Sequence, residues 1–322
     1  MEDLKLTAFT KEELDKIHQA TLEILREPGI LVDSQEARDL LEKNGCKVNN
    51  ETKMVSFPEE VVKKGLSTVP DHFTLYSRDG KHNVEFVSDG SQVHNNTFGI
   101  GTQIIEYLGN GQFKDRASTL QDLGDICKVA NYCDNIDFFC SPVSAMDHAD
   151  DPVRTLREMK AILVNSAKPI DLDSEAEFFP EYFDLVAACY GGDRERAMRE
   201  PVNTVGCCPA SPLQLDAELC ATALTGPKYG MPVNILSMAM SAASSPVFLA
   251  GTLVTHNAEV IAGIVLTQLA FPGHPMIYGS STTCFDFFST TAPVGSPELG
   301  LIGAGVAALA EYYHIPSIVA GA

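Results

Sequence analysis

The chain has 322 residues, 45% of them hydrophobic, enough for a large core and more than one structural region. With 43 acidic against 23 basic residues its formal net charge is -20, the wrong sign for nucleic-acid phosphates or an anionic membrane surface. The cysteines number nine and include no C-x-x-C pair, so no disulfide framework is expected and a reducing, cytoplasmic setting fits.

The first residues, MEDLKLTAF, have neither the basic start nor the apolar stretch of a signal peptide. Over residues 12–25, Leu14, Ile17, Thr21, Leu22 and Leu25 share one side of an expected helix, with Thr10 as N-cap and Glu13 completing a capping box. A second helix is expected over 34–43, stopped by Asn44-Gly45. FTLYSRDGKHNVEFV and TQIIEYLGNGQF then read as hairpins turning at Asp79-Gly80 and Asn110-Gly111. Residues 1–117 thus predict an N-terminal α+β region.

In residues 118–322 the pattern becomes strand, loop, helix, and it repeats from about Ile136. IDFFCSPVS precedes a helix near Asp151, and KPIDLD one near Glu175. NTVGCCPAS precedes a helix over 213–229, VNILSMAM one over 247–270, and PMIYGSSTT one over 298–314; PSIVAG is a sixth strand. Such alternation predicts βαβ units and a parallel sheet. No G-x-G-x-x-G follows the first strand, and long polar loops follow the strand ends. An incomplete TIM-type (β/α) barrel is therefore expected, with six strands and five following helices where a closed barrel has eight of each. Ser211-Pro212, Ser245-Pro246 and Ser296-Pro297 each read as an N-cap followed by a preorganised first helical residue. Residues 248–270 are apolar enough to suggest a membrane span, but His256, Asn257 and Glu259 in their middle predict a helix buried in protein.

Three places offer chemistry. Residues 278–298 bring Tyr278, Ser280, Ser281, Thr282, Thr283 and Asp286 together with Phe285, Phe287 and Phe288. Hydroxyls and a carboxylate beside rings suit a small cationic or amine ligand; the competing reading is a loop whose polar groups satisfy their own backbone. On AGTLVTHNAEVIAGIVL, Thr252, His256, Glu259 and Gly263 fall on one helical face, and His256 with Glu259 suggests a hydrogen-bonded acid/base pair. Against that stands a satisfied buried pair behind the barrel. In PVNILSMAM, Asn234, Ser237, Met238 and Met240 sit at a strand end, and Ser237 with Ser241 joins the pocket candidates while Met reads as core. The vicinal Cys207-Cys208 pair reads better as small buried hydrophobes than as metal ligands. DLDSE, at 171–175, lacks the glycine and spacing of a calcium loop. No P-loop, H-E-x-x-H, G-x-S-x-G or zinc spacing occurs, and residue chemistry alone ends at a partial barrel enzyme of unknown reaction.

PVNILSMAMSAASSPVFLAGTLVTHNAEVIAGIVLTQL and YGSSTTCFDFFSTTAPVGSPELGLIGAGVAALAEYY closely resemble the trimethylamine:corrinoid methyltransferase family. FTKEELDKIHQATLEILREPGILVDSQEARDLLEKNGCKVN resembles its N-terminal region, and CCPASPLQL fits between, so the likeness covers essentially the whole chain. It implies a TIM-type barrel with an additional N-terminal region, demethylation of an amine, and transfer of the methyl group to the Co(I) of a separate corrinoid protein. Members of that family acting on trimethylamine carry pyrrolysine, encoded by UAG, just after the PS-hydrophobic-VAG strand. Relatives acting on glycine betaine, proline betaine or carnitine have an ordinary residue there.

The resemblance thus implies the N-terminal part of a longer enzyme, ending at a UAG codon after Ala322, homo-oligomeric at full length and binding no cofactor of its own. The unpaired edge of a sixth strand agrees with that expectation. Under this reading Glu259 and His256 are the candidates for proton handling beside the imine, in a site that excludes water. Tyr278, Ser280, Ser281, Thr282, Asp286, Ser237 and Ser241 are the pocket candidates. Two alternatives stand beside it: part of a glycine betaine-type demethylase without pyrrolysine, and a noncatalytic half-barrel binding protein.

Overall fold

Thr10 opens the first helix of the computed structural model, which describes residues 7–97, 99–173 and 175–320. Its hydroxyl accepts from the Glu13 N–H while the Glu13 carboxylate accepts from the Thr10 N–H, closing the expected capping box at the head of α1 (Lys11–Arg26). Ile17, Thr21, Leu22 and Leu25 are buried along it, as their spacing predicts. β1 (Ile30–Val32) follows, then α2 (Gln35–Lys43), capped by Ser34 and ending at Asn44. β2 (Lys47–Asn49), β3 (Met54–Ser56) and α3 (Glu59–Leu66) lead to two antiparallel hairpins. The first joins β4 (His72–Leu75) to β5 (Val84–Val87). The second joins β6 (Gln103–Gly109) to β7 (Gln112–Ala117), where Asn110 and Gly111 take φ of 49° and 76°, the paired left-handed conformations a tight hairpin turn requires.

The barrel part runs α4 (Leu120–Tyr132), β8 (Phe139–Cys140), α5 (Arg154–Asn165), β9 (Ile170–Asp173), α6 (Phe179–Cys189), α7 (Arg194–Arg199) and β10 (Asn203–Cys207). It continues through β11 (Gln214–Leu215), α8 (Ala217–Thr225), β12 (Val233–Ser237), β13 (Met240–Ser241) and α9 (Leu249–Ala270). β14 (Met276–Ser280), β15 (Thr283–Cys284), α10 (Pro297–Tyr313) and β16 (Ser317–Val319) complete it. β8, β9, β10, β12, β14 and β16 lie side by side in chain order, every pair parallel. This is the expected part-barrel of six strands. Its last two residues, Gly321 and Ala322, beside which the resemblance puts pyrrolysine, lie outside the described residues.

Strand periodicity sorts the side chains. Ile170, Leu172, Val205, Val233, Ile235, Met276 and Tyr278 pack outward into the main core with the helices. Period two therefore turns Asp171, Thr204, Asn234, Ile277 and Gly279 to the concave face. The β4–β5 hairpin fills that face at the N-terminal end: Phe73, Leu75, Val84 and Phe86 pack on Phe138, Ile277 and Ile318. The Tyr76 N–H donates to the Pro201 carbonyl and the Arg78 N–H to that of Ala167, just ahead of β10 and β9. The C-terminal strand ends are left as the open mouth.

The N-terminal elements are joined to the barrel rather than tethered beside it. β1 pairs in parallel with β11, Leu31 opposite Gln214 and Val32 opposite Leu215. α1, α2 and α3 lie along α9, and a Cβ placed on Gly65 of α3 would meet Val265 of α9 at 3.0 Å. α9 is long and apolar enough to cross a membrane by length and composition, yet most of it is buried inside the fold, with His256, Asn257 and Glu259 at 0% exposure.

Two of the three expected Ser-Pro caps are corrected. Ser211-Pro212 starts no helix: the chain there feeds β11, Leu213 takes φ 58°, and Asp216 caps α8 by accepting from the Leu219 N–H. The 213–229 run therefore splits into β11, α8 and a 3-10 turn at Gly226–Tyr229. Ser245-Pro246 also precedes its helix without capping it, because the Pro246 carbonyl accepts from the Thr252 hydroxyl and α9 begins only after Phe248. Ser296-Pro297 behaves as expected, the Ser296 hydroxyl accepting from the Leu299 N–H at the head of α10.

Candidate functional site

The polar residues predicted on α9 and the strand ends separate into a buried seam behind the sheet and a loop above it. In the seam, one Glu259 oxygen accepts from the hydroxyls of Ser237 at 2.7 Å and Ser211 at 2.8 Å, and the other from the Leu213 N–H at 2.8 Å. Burial pushes the Glu259 carboxyl above its ordinary range, opposed by these three hydrogen bonds. The expected His256–Glu259 hydrogen bond is a correction: His256 Nδ1 instead meets Thr282 Oγ1 at 2.9 Å. The Thr282 hydroxyl donates to the Ser237 carbonyl, so it accepts from Nδ1–H and the bare ring nitrogen is Nε2, which has no hydrogen-bond partner among the described residues. Burial holds the imidazole neutral, its pKa pushed down to about 3.

Tyr278 belongs to the same seam. Its ring lies against His256 with centroids 5.4 Å apart, and its hydroxyl donates to Asn257 Oδ1 at 2.6 Å. Burial raises that phenol well above its usual range. Ser280 accepts from the Thr282 N–H, and Ser241 donates to the Val247 carbonyl. These side chains pack behind the strands, so Tyr278 presents no open ring face to a cation. Ser281 is half-buried, its N–H donating to the Ser237 carbonyl. Asp286 accepts from the Phe288 N–H and the Ser289 hydroxyl; the Ser289 bond holds its carboxyl below the ordinary range. The loop thus satisfies itself, the competing reading of that stretch.

Sequence reasoning placed Asn234 at a strand end but missed the concave face that it shares with Asp171 and Thr204. There Asp171, Thr204 and Asn234 are 6%, 0% and 0% exposed. The Thr204 hydroxyl donates to one Asp171 oxygen, and Asn234 Nδ2 donates to the other at 3.4 Å. Gly206 and Gly279 flank this polar layer, and neither adds a side chain to it. The signal was present as alternation: in PIDLD and PVNIL one polar residue stands between apolar ones, and in a strand that residue faces the side opposite the core. Asp171 also heads the stretch set aside as a calcium loop; among the described residues no group of three or more His, Cys, Asp or Glu is placed to hold a metal ion. Cys207 is buried with its thiol pushed well up, its Sγ 3.8 Å from the Asn234 carbonyl.

A family model described as trimethylamine methyltransferase (MTTB) matches residues 2–322. The chain belongs to the trimethylamine methyltransferase family. It is 48% identical over 319 residues to the trimethylamine methyltransferase of Methanosarcina thermophila, covering 99% of this chain and 66% of that one. The glycine betaine methyltransferase of Desulfitobacterium hafniense is more distant, at 32% over 315 residues, 97% of this chain and 64% of that one. The chain spans just under two thirds of the length of these relatives. Among solved structures, the Methanosarcina barkeri monomethylamine methyltransferase superposes with a TM-score of 0.55 at 11% identity, covering 95% of this chain and 66% of that one, a likeness of fold. Against that fold the geometry is plain: the hairpin closes one end of the barrel, and the polar layer faces the other. Around that mouth, loops after β12 and β14 expose Met238, Val247, Phe248, Phe287 and Phe288, the last at 98%.

Proposed function

We propose that this chain supplies the first six barrel strands of an enzyme that demethylates trimethylamine and passes the methyl group to the Co(I) of a cognate corrinoid protein. The observation that carries the proposal is the 48% identity to a trimethylamine methyltransferase over nearly the whole chain, against 32% to the glycine betaine enzyme. The barrel mouth is consistent with it, since exposed apolar side chains on two neighbouring loops are the kind of surface a protein partner covers. The reading includes a cytoplasmic location, a homo-oligomeric enzyme, and pyrrolysine following the sixth strand; a sense codon after Ala322 overturns that last element.

The chain's own residues divide the work as follows. Glu259 ties the loop after β10 to the end of β12, and with His256 remains the candidate for proton handling near the strand ends. Ser237, Ser241, Tyr278, Ser280, Ser281, Thr282 and Asp286 shape and hold the loops that frame the mouth. The test mixes the full natural chain with trimethylamine and a corrinoid protein reduced to Co(I), and follows the cobalt absorbance. Methylation with trimethylamine and none with glycine betaine is expected. Methylation from glycine betaine alone selects the other demethylase, and none from either leaves the binding-protein reading.

A further inference from the structure

The β6–β7 hairpin turns its apolar side away from the molecule that carries it. Residues directly opposite each other in an antiparallel pair share a face. The register therefore sets Ile104 with Arg116 and Glu106 with Lys114 on one side, and Ile105 with Asp115 and Tyr107 with Phe113 on the other. The first side faces inward: Ile104 packs on the main core, and Arg116 donates to both Asp122 oxygens, at 2.7 and 2.8 Å, and to Glu106 at 3.2 Å. The second faces solvent, with Ile105, Tyr107 and Phe113 at 70%, 60% and 67% exposure and the two rings 5.2 Å apart.

No described residue covers that outward face. β6 and β7 form a two-stranded sheet of their own, with both outer edges unpaired among the described residues, and a hairpin without a packed face is marginal in water. This one is nevertheless pinned at its base. The Gly101 N–H donates to the Pro142 carbonyl, the Ser118 N–H to that of Thr102, and the Ser118 hydroxyl to that of Ser144, besides the Arg116 fork on Asp122. A firmly mounted hairpin with an apolar outer face has the form of a contact surface.

We propose that the outward face of this hairpin pairs with the same face of a second copy of the chain. Charge favours that occupant. The molecule carries -20, yet on the hairpin Glu106 and Asp115 are balanced by Lys114 and Arg116, so two copies approach there without the repulsion that opposes contact elsewhere. Lys114 and Asp115, neighbours on β7, have no ion-pair partner among the described residues. About a twofold axis each copy offers a base to the other's acid, the reciprocity of an isologous contact. Size sets the strength. At about 150–250 Å² for a whole aromatic side chain, the three exposed side chains offer roughly 400 Å² per copy, and two stacked faces stay below the about 1,200 Å² of a lasting complex. A reversible pair with a dissociation constant of the order of 10 µM is therefore expected. This names the surface behind the homo-oligomeric part of the reading above and rests on that part alone, whatever the amine.

The test is sedimentation equilibrium of the full natural chain between about 1 µM and about 100 µM, where the weight-average mass is expected to rise toward double its lower value. Tyr107→Lys with Phe113→Glu replaces the ring pair by an opposite-charge cross-strand pair, which keeps the hairpin register and the net charge while removing the apolar face. That variant is expected to hold the lower mass at both concentrations, and Tyr107→Phe, which keeps the face, to associate as the unsubstituted chain does. Ile105→Lys serves if the double variant does not fold. A constant mass that the double substitution halves supports the same pairing at higher affinity. A constant mass that it leaves unchanged overturns the inference, as does a folded double variant that still associates. Unchanged mass with slower methyl transfer to a corrinoid protein overturns it too and assigns the face to that partner. Methyl transfer by a chain whose copies never pair overturns this inference alone; paired copies that transfer no methyl group overturn the amine reading and leave this one standing.

Discussion

Glu259 is a carboxylate with three donors and no exposed surface, and both facts can be read in solution. Glu259→Ala leaves the Ser211 and Ser237 hydroxyls and the Leu213 N–H without their acceptor. At about 1 kcal/mol or more for each stranded group, a loss of about 3 kcal/mol in urea unfolding at neutral pH is expected. The pH dependence follows from the raised carboxyl. A group whose folded pKa lies above its unfolded value favours folding most where it is protonated, and that advantage declines as pH rises through the folded value. Relative to the non-titrating Glu259→Gln, wild type is therefore expected to lose stability from pH 4.5 upward; a flat difference would overturn the assignment. His256 has the opposite sign, since burial lowers its pKa from 6.5 to about 3. Its contribution is complete above 6.5 and is lost on acidification toward 3, at about 1.4 kcal/mol per pH unit. Between pH 7 and pH 5, wild type is expected to lose about 2 kcal/mol more than His256→Leu in the same unfolding assay.

At the scale of elements, α9 is the pillar on which both regions lean, and Asn257 is where they meet. Its Nδ2 donates to Thr21 Oγ1 on α1 and to the Tyr313 hydroxyl on α10, while its Oδ1 accepts from Tyr278 on β14. Tyr313 in turn meets His18 Nδ1 at 2.9 Å, so one polar chain crosses four elements. Asn257→Leu removes a hydrogen bond to each of three of them, and a loss of about 3 kcal/mol is expected, with hydrogen exchange accelerating in α1 as well as in α9. Exchange confined to α9 would mean that the chain of contacts does not couple the regions. The β6–β7 hairpin is the contrast: Ile105, Tyr107 and Phe113 are 60–70% exposed, so Ile105→Lys is expected to change stability by less than about 0.5 kcal/mol.

For the whole molecule, the charge of -20 is spread over a surface that folding brings together. Self-repulsion of that size is screened by salt, so raising sodium chloride from about 20 mM to about 200 mM is expected to raise the melting temperature. A melting temperature that falls or stays constant would show the acidic groups to be locally compensated. The sheet itself grades in protection. β12 is bonded on both sides, by β10 and β14, whereas β16 is bonded among the described residues by β14 alone.

What the sequence determined by itself was every feature whose physics is local or periodic. Thr10 and Glu13 announce a helix start because a capping box closes within four residues, and the alternation of strand and helix across 136–319 announces a parallel part-barrel because each period buries one face. His256, Asn257 and Glu259 marked α9 as a helix buried in protein because polar groups in mid-span are costly in lipid. Only the tertiary structure decided direction. Ser211-Pro212 carries the letters of a cap, but pairing of β11 with β1, nearly two hundred residues away in the chain, outweighs a cap hydrogen bond and sends the segment elsewhere. His256 and Glu259 are polar residues at helical spacing, and which partners they find depends on loops that the helix meets only in three dimensions. Asp171, Thr204 and Asn234 come from three strands, and period two says merely that each opposes the core. Their convergence on one enclosed layer is a property of the curved sheet.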